Sequence, residues 1–296
     1  VITLTVDSRV HFPKDAIAPD ELRKLCDRFT HDNPEFARWE ALPSHLRRGR
    51  EPDAFVRTYR IEKDRASFPR GKLVEIAMLL GSIGHSVKID DRRELGNGPK
   101  PKGVAFDSRI ELWDYQKEMV TAALEFESGV LRGPTGCGKT IVGEAIALAT
   151  GLCTLIVVPT EEIFKQWLRR LREELGMHER DIGIIRGPKL KIGPITVAMV
   201  QTLAKKVHLV ADQFGAVIFD EVQRAAAKTF YQAIDGLPTK YRIGISADER
   251  RKDRKEFLVY DVFGEVAYEV EKKRVELTGA VYDVEVRLIP TTFRAG

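Results

Sequence analysis

The sequence predicts an α/β protein: a domain built on a parallel sheet, preceded by a smaller α/β unit. Three observations predict it. From about Ile110 onward, short apolar runs alternate with helical stretches, the mark of a parallel sheet covered by helices. One strand-to-helix junction in that region is a glycine-rich loop. Before it, Gly96-Asn97-Gly98-Pro99-Lys100-Pro101-Lys102-Gly103 is dense in residues that interrupt regular structure, and divides the chain into residues 1–100 and 101–296. A length of 296 residues allows about two domains.

In the first unit, Val1–Val6 is β-branched and alternating, a strand. Pro19-Asp20-Glu21-Leu22 opens a helix to about Phe29, with proline and acids in its first turn. Ala54–Ile61 alternates again and predicts a second strand. Gly71–Leu80 has apolar residues at helical spacing, and Gly84–Ile89 is a turn into a third strand. Between Arg47 and Lys72 the unit is rich in Arg and Lys, Arg57 and Arg60 among them, with Tyr59 and Phe68 interleaved. Such a block suits a face turned to nucleic-acid phosphates, with aromatics for stacking. A solvated face partly neutralised by Glu51, Asp53, Glu62 and Asp64 explains it equally well.

In the second unit, Tyr115–Phe126 predicts a helix, Gly129–Arg132 a strand end and Ile141–Thr150 a helix. Leu155–Val158 is a buried strand, followed by an amphipathic helix from Glu161 to Leu175. Ile195–Met199, Ala216–Phe219 and Tyr241–Ile245 are further strands.

The chemistry is concentrated at two strand ends. Gly133-Pro134-Thr135-Gly136-Cys137-Gly138-Lys139-Thr140 fits the G-x-x-x-x-G-K-[ST] pattern, with a strand before it and a helix after it. Glycines let the backbone amides wrap an oxyanion, and the helix N-terminus adds positive charge. Lys139, expected as a mobile cation exposed at the sheet edge, would reach the β- and γ-phosphates, and Thr140 would ligate Mg²⁺. About 80 residues later an apolar strand ends in Asp220-Glu221. Asp220 would hold Mg²⁺, and Glu221 would orient or deprotonate an attacking water. The pattern is that of a nucleoside triphosphate site.

Composition excludes other classes. With 43% hydrophobic and 31% charged residues the chain is neither disordered nor membranous. The longest apolar run, Leu152–Val158, is too short to cross a bilayer, and no stretch has the order of a signal peptide. The three cysteines form no metal spacing or disulfide framework, which suits a reducing cytoplasm. Cys137 fills a variable position of the loop. A net charge of +4 is a mild hint of a polyanionic partner.

These residues carry a resemblance. Asp220-Glu221-Val222-Gln223 is similar to the DEx(D/H) box of superfamily 2 helicases. Trp113-Asp114-Tyr115-Gln116 resembles their glutamine motif, which implies that Gln116 reads the adenine of ATP. Pro159-Thr160 with Gln166-Trp167, and Val200-Gln201-Thr202-Leu203, resemble their nucleic-acid-touching segments. Ile245-Ser246-Ala247, followed by Arg250, resembles the motif that couples hydrolysis to movement. A finer similarity is to the XPB-like branch and the phage UvsW helicases, through Ser67-Phe68-Pro69-Arg70-Gly71 and Phe263-Gly264-Glu265-Val266.

The resemblance implies a RecA-like P-loop domain and an ATP-dependent helicase or translocase on branched or duplex DNA, using ATP and Mg²⁺. It also implies a second RecA-like domain, absent from this sequence, so that the chain is expected as an N-terminal fragment or a half-enzyme completed by another chain. Two rivals stand beside it: a nucleotide-regulated DNA-binding adaptor without turnover, and a P-loop ATPase acting on something other than nucleic acid. Gln223, where an acid or histidine is usual, and Asp248-Glu249 after Ser246-Ala247 depart from the pattern.

Overall fold

β-Branched runs become strands and the stretches between them helices. The computed structural model describes residues 1–224, 227–247 and 254–278. The N-terminal part runs β1 (Ile2–Val6), β2 (Arg9–Pro13), α1 (Pro19–Arg28), β3 (Thr30–Asp32), α2 (Pro34–Ala41), β4 (Phe55–Arg57), β5 (Arg60–Ile61), β6 (Arg65–Pro69), α3 (Leu73–Ser82) and β7 (Val87–Asp91). Five of these strands form a sheet in the order β5-β6-β2-β1-β7, parallel only between β1 and β7. Its apolar side gathers Leu4, Val10, Phe12, Phe68 and Ile76, with the rings of Phe12 and Phe68 stacked 5.8 Å apart.

The strand expected over Ala54–Ile61 is two short ones. β4 pairs with β3 in a separate two-stranded sheet, while β5 joins the main one. The break falls at Thr58-Tyr59 because Thr58 makes its backbone bonds elsewhere. Its N–H donates to Phe29 O at 3.1 Å, and its carbonyl accepts from Arg9 Nη2 at 2.7 Å.

The remainder runs α4 (Asp114–Phe126), β8 (Ser128–Arg132), α5 (Lys139–Thr150), β9 (Thr154–Val158), α6 (Glu161–Glu173), β10 (Gly183–Arg186), β11 (Lys189–Lys191), β12 (Ile195–Met199), α7 (Val200–Lys206), β13 (Ala216–Asp220), α8 (Ala227–Ile234), β14 (Tyr241–Ser246), α9 (Phe257–Phe263), β15 (Val266–Glu269) and α10 (Lys272–Glu276). Its eight strands lie in the order β11-β10-β12-β9-β13-β14-β8-β15, all parallel except the β10–β11 hairpin. Every residue of β9 is buried: Ile156 and Val158 face the core under α4–α6, Leu155 and Val157 the one under α7–α9. A strand covered on both faces reads as an unbroken apolar run, which is how it stood out in the sequence.

The two parts meet over a polar, tightly fitted seam. Arg9 is buried and donates to Tyr231 OH (2.7 Å), Asp235 Oδ1 (2.5 Å) and Ser67 Oγ (2.8 Å), besides its bond to Thr58. Arg242 Nη2 donates to Ser8 O at 3.0 Å, and Arg70 Nη1 to Thr239 O at 2.5 Å. Gly71 packs so closely that a Cβ there would lie 2.3 Å from Gly264 N. The segments 67–71 and 263–266, singled out separately in the sequence, therefore touch each other.

The breaker-rich segment is strapped down rather than free. Asn97 N donates to Asp212 O and Gly98 N to Gln213 O, each at 2.9 Å, and just before them Glu94 exchanges backbone bonds with Pro238 and Lys240.

Candidate nucleotide-binding site

β13, β14 and β8 are neighbours in register, pairing Asp220 with Ile245 and Ser246 with Arg132. Their C-terminal ends therefore stand side by side, and each carries part of the site.

The loop Gly133–Gly138 leaves β8 and enters α5. Gly138 caps α5 in the left-handed region, with φ of 76°, and a Cβ there would sit 2.4 Å from Gln116 Nε2. Only glycine suits that position. Gln116 is itself fixed: its Oε1 accepts from Trp113 N at 2.9 Å and its Nε2 donates to Cys137 O at 3.0 Å. Tyr115 OH donates to the same carbonyl at 3.2 Å. The start of α4 thus braces the loop from outside. Cys137 is wholly buried, and burial raises its thiol pKa, as befits a filler rather than a nucleophile. Thr135 and Gly136 are exposed at the loop's tip, with Pro134 and Thr140 half-buried.

Lys139 departs from its expected exposure. It is buried, and its ammonium donates to the carbonyls of Gly133 and Pro134 at 3.2 Å each. An unshielded ammonium among the loop amides is satisfied most readily by the loop's own carbonyls.

Asp220 is buried at the end of β13 and accepts from Trp167 Nε1 at 2.8 Å. Burial raises its pKa, opposed by the Trp167 bond. A nearby divalent ion would favour the carboxylate. Thr140 and Asp220 are hard oxygen donors, and two of them fit Mg²⁺, which keeps most of its shell as water and phosphate. Among the described residues no three His, Cys, Asp or Glu side chains cluster as a metal cage.

Glu221 lies in the left-handed region, at φ of 53°, which a non-glycine residue holds only when its surroundings fix it. Its carboxylate accepts from Gln223 Nε2 and lies 3.2 Å from Arg224 Nε. Gln223 Oε1 in turn accepts from Ser246 Oγ at 2.7 Å. Ser246 O accepts from Gly133 N at 3.1 Å, so one residue touches both the acidic motif and the phosphate loop.

Pro159 and Thr160 sit at the end of β9, and Gln201 and Thr202 begin α7 after β12. Gln201 Nε2 donates to Pro159 O at 3.2 Å, and Thr202 Oγ1 accepts from Gly187 N at 3.1 Å. Thr160 caps α6, and Gln166 is exposed on that helix. Arg57 and Arg60 are both exposed, and Arg60 reaches back to pair with Asp235 beside Arg9. One end of its guanidinium is thus engaged within the fold while 55% of the side chain stays accessible. Arg250 lies outside the described residues, as do Asp248 and Glu249.

By resemblance Trp167 belongs with Gln166 to a nucleic-acid-touching segment, but its ring is buried and bonded to Asp220; to Arg9 sequence reading assigned no role. Trp167 sits between Phe164 and Leu171 on the apolar face of α6 and reads as core; only its ring nitrogen serves the site.

A parallel sheet with a phosphate loop after one strand and an acidic pair after another is the arrangement of a P-loop nucleotide-binding domain. Residues 109–250 match a family model described as "Type III restriction enzyme, res subunit". "Putative DNA 3'-5' helicase Rad25" of Haloarcula marismortui is 32% identical over 220 residues, 73% of this chain and 34% of that protein. "DNA 3'-5' helicase XPB" of Mycobacterium tuberculosis is 32% identical over 192 residues, 61% of this chain and 35% of that protein. The chain spans about a third of the length of these curated relatives. The crystal structure of the UvsW helicase from Bacteriophage T4 shares the fold, with a TM-score of 0.69 at 21% identity over 90% of this chain and 99% of that one. The chain carries a helicase domain of superfamily 2, similar in sequence to the XPB-like proteins and in fold to UvsW. Among the described residues no helix is long and apolar enough to cross a membrane.

Proposed function

We propose that this chain is the ATP-binding half of a DNA motor, coupling hydrolysis of ATP to remodelling of branched or duplex DNA. The observation that carries the reading is the run of hydrogen bonds from Glu221 through Gln223 to Ser246. It joins the acidic motif to the coupling motif, with the phosphate loop on the next strand. Through that link a change at the γ-phosphate would reach β14.

In this reading residues 101–296 form the motor domain and residues 1–100 an accessory unit placed against it. The loop amides and Lys139 hold the β- and γ-phosphates, Lys139 exchanging loop carbonyls for phosphate oxygens. Thr140 and Asp220 hold Mg²⁺, which when bound neutralises phosphate charge. Glu221 takes the proton of the attacking water. Pro159, Thr160, Gln201 and Thr202, grouped at the ends of β9 and β12, contact DNA. The two relatives named above as DNA helicases support DNA as the nucleic acid.

The test is ATP hydrolysis by the motor domain supplied with a second RecA-like domain, in the same chain or as a partner. Duplex, forked and single-stranded DNA, RNA and no nucleic acid are compared. Stimulation by DNA supports the reading. Hydrolysis indifferent to every nucleic acid would point to an ATPase with another partner, and tight binding with no hydrolysis to an adaptor.

A further inference from the structure

A cavity of about 550 Å³ opens beside the phosphate loop. Trp113 and Gln116 line one side, and Arg170 and Glu173 of α6, with Glu174 just after it, line another. The sides are tied together, since Asp107 N donates to Glu174 O at 2.8 Å.

Arg170 is unusually well supported for a residue facing a cavity. Its Nη2 donates to Glu174 Oε2 at 2.6 Å, and its Nε lies 3.5 Å from Glu144 Oε1. Glu144 is wholly buried on α5, the helix that the phosphate loop opens, and stands behind Arg170 without a hydrogen bond to it, so Arg170 is held chiefly by Glu174. Its side chain keeps 20% of its surface accessible. A free surface arginine loses rotamer entropy when it engages a ligand; one held in place has already lost most of it. A planar guanidinium fixed in this way is a good platform for an aromatic ring.

We infer that Arg170 positions the base of the bound nucleotide by stacking its guanidinium against it, while Gln116 borders the same cavity. The inference rests on the reading of residues 133–140 as a triphosphate site, and adds a residue that the motif pattern does not contain. Glu173 and Glu174 beside it accept hydrogen bonds, and so favour donors such as an exocyclic amine or ribose hydroxyls. The rival account is that Arg170 merely pairs with Glu174 and packs α6 over Glu144 of α5.

Equilibrium binding separates the accounts, using Mg-ATP and inorganic tripolyphosphate with Mg²⁺ as probes. In Arg170→Ala, Mg-ATP affinity is expected to fall about tenfold, the scale of a desolvated cation–π contact. Tripolyphosphate affinity stays unchanged because the phosphate loop is intact. Arg170→Lys keeps a cation between Glu144 and Glu174 but loses the plane, and is expected to show the same selective loss. Thermal unfolding of both variants checks that they fold. ATP affinity at the parental level in Arg170→Lys would overturn the inference in favour of the ion pair, as would equal weakening of both probes in Arg170→Ala. A parent protein that binds neither probe would remove the triphosphate reading itself, and Lys139→Ala, expected to weaken both probes, is the control for that failure.

Discussion

Ser246 donates its hydroxyl to Gln223 across an interval of 23 residues, at 2.7 Å, and so joins the ends of two adjacent strands. The amide at 223 fills the place of the usual acid or histidine, accepting from Ser246 at one end and donating to Glu221 at the other. An amide carries both a donor and an acceptor, so one side chain can serve the two neighbours at once.

This arrangement predicts that two substitutions separate. In a motor completed by a second domain, Glu221→Gln should retain ATP binding and lose about 10²–10⁴ in hydrolysis, because an amide cannot take the water's proton. Gln223→Ala should retain basal hydrolysis better but lose stimulation by DNA. Steady-state turnover with and without forked DNA checks both; full DNA stimulation in Gln223→Ala would show that the link to Ser246 carries no coupling.

The seam makes a prediction about stability. Asp235 answers the buried guanidinium of Arg9 and also pairs with Arg60. Asp235→Ala leaves Arg9 buried without its anion, and breaking a buried pair in that way costs about 3–5 kcal/mol. Chemical denaturation measures it, and a change below about 1 kcal/mol would be typical of an exposed pair instead.

Glu144 gives a pH prediction. Burial pushes its carboxyl up from the ordinary 4.5 to about 8, opposed by Arg170 and assisted by Glu174. The unfolded chain releases this proton near pH 4.5, whereas the folded chain keeps it to about pH 8. Its contribution to stability is therefore fully present below pH 4.5 and lost as the pH climbs to about 8. Glu144→Gln stays neutral throughout. The variant should gain on the parent in melting temperature as the pH is raised across that window. Parallel melting curves at both ends would mean that Glu144 is ionised in the fold.

For DNA binding, Arg57 and Lys63 are two exposed cations of the basic block to test, beside Arg60, which is exposed but paired to Asp235. Each phosphate contact adds about −0.9 to the slope of log affinity against log salt on duplex DNA. Substituting Arg57 and Lys63 together by Ala should flatten that slope by up to about 2, and Arg60→Ala should change it less. Equal slopes in the parent and the double variant would reduce the block to a solvated face.

How much of this was legible in the sequence depended on whether the chemistry was local. Gly133–Thr140 and Asp220-Glu221 announce themselves because a phosphate cradle needs glycines at fixed short spacing and a metal site needs acids at a strand end. β9 was legible because burial on both faces leaves an apolar run. The Arg9–Asp235 pair, 226 residues apart, has no local signature. Each partner alone reads as an ordinary surface charge. The break at Thr58-Tyr59 was hidden for the same reason, since the groups that take its backbone bonds lie on distant elements. Arg60 belonged to a basic block, and nothing in that block distinguishes the cation that is already paired.

The contact between Gly71 and Gly264 bears on whether the first hundred residues are an exchangeable part. Backbone meets backbone there, with no side chain that could yield, so the fit is a property of two main-chain paths. Transplanting the accessory unit from one relative to another would succeed only if the donor and the recipient bend their chains alike at both places. Such a graft would also have to bring its own answer to Asp235. Modularity of this protein thus ends at the seam: the pieces differ in architecture, yet neither carries a finished surface of its own there.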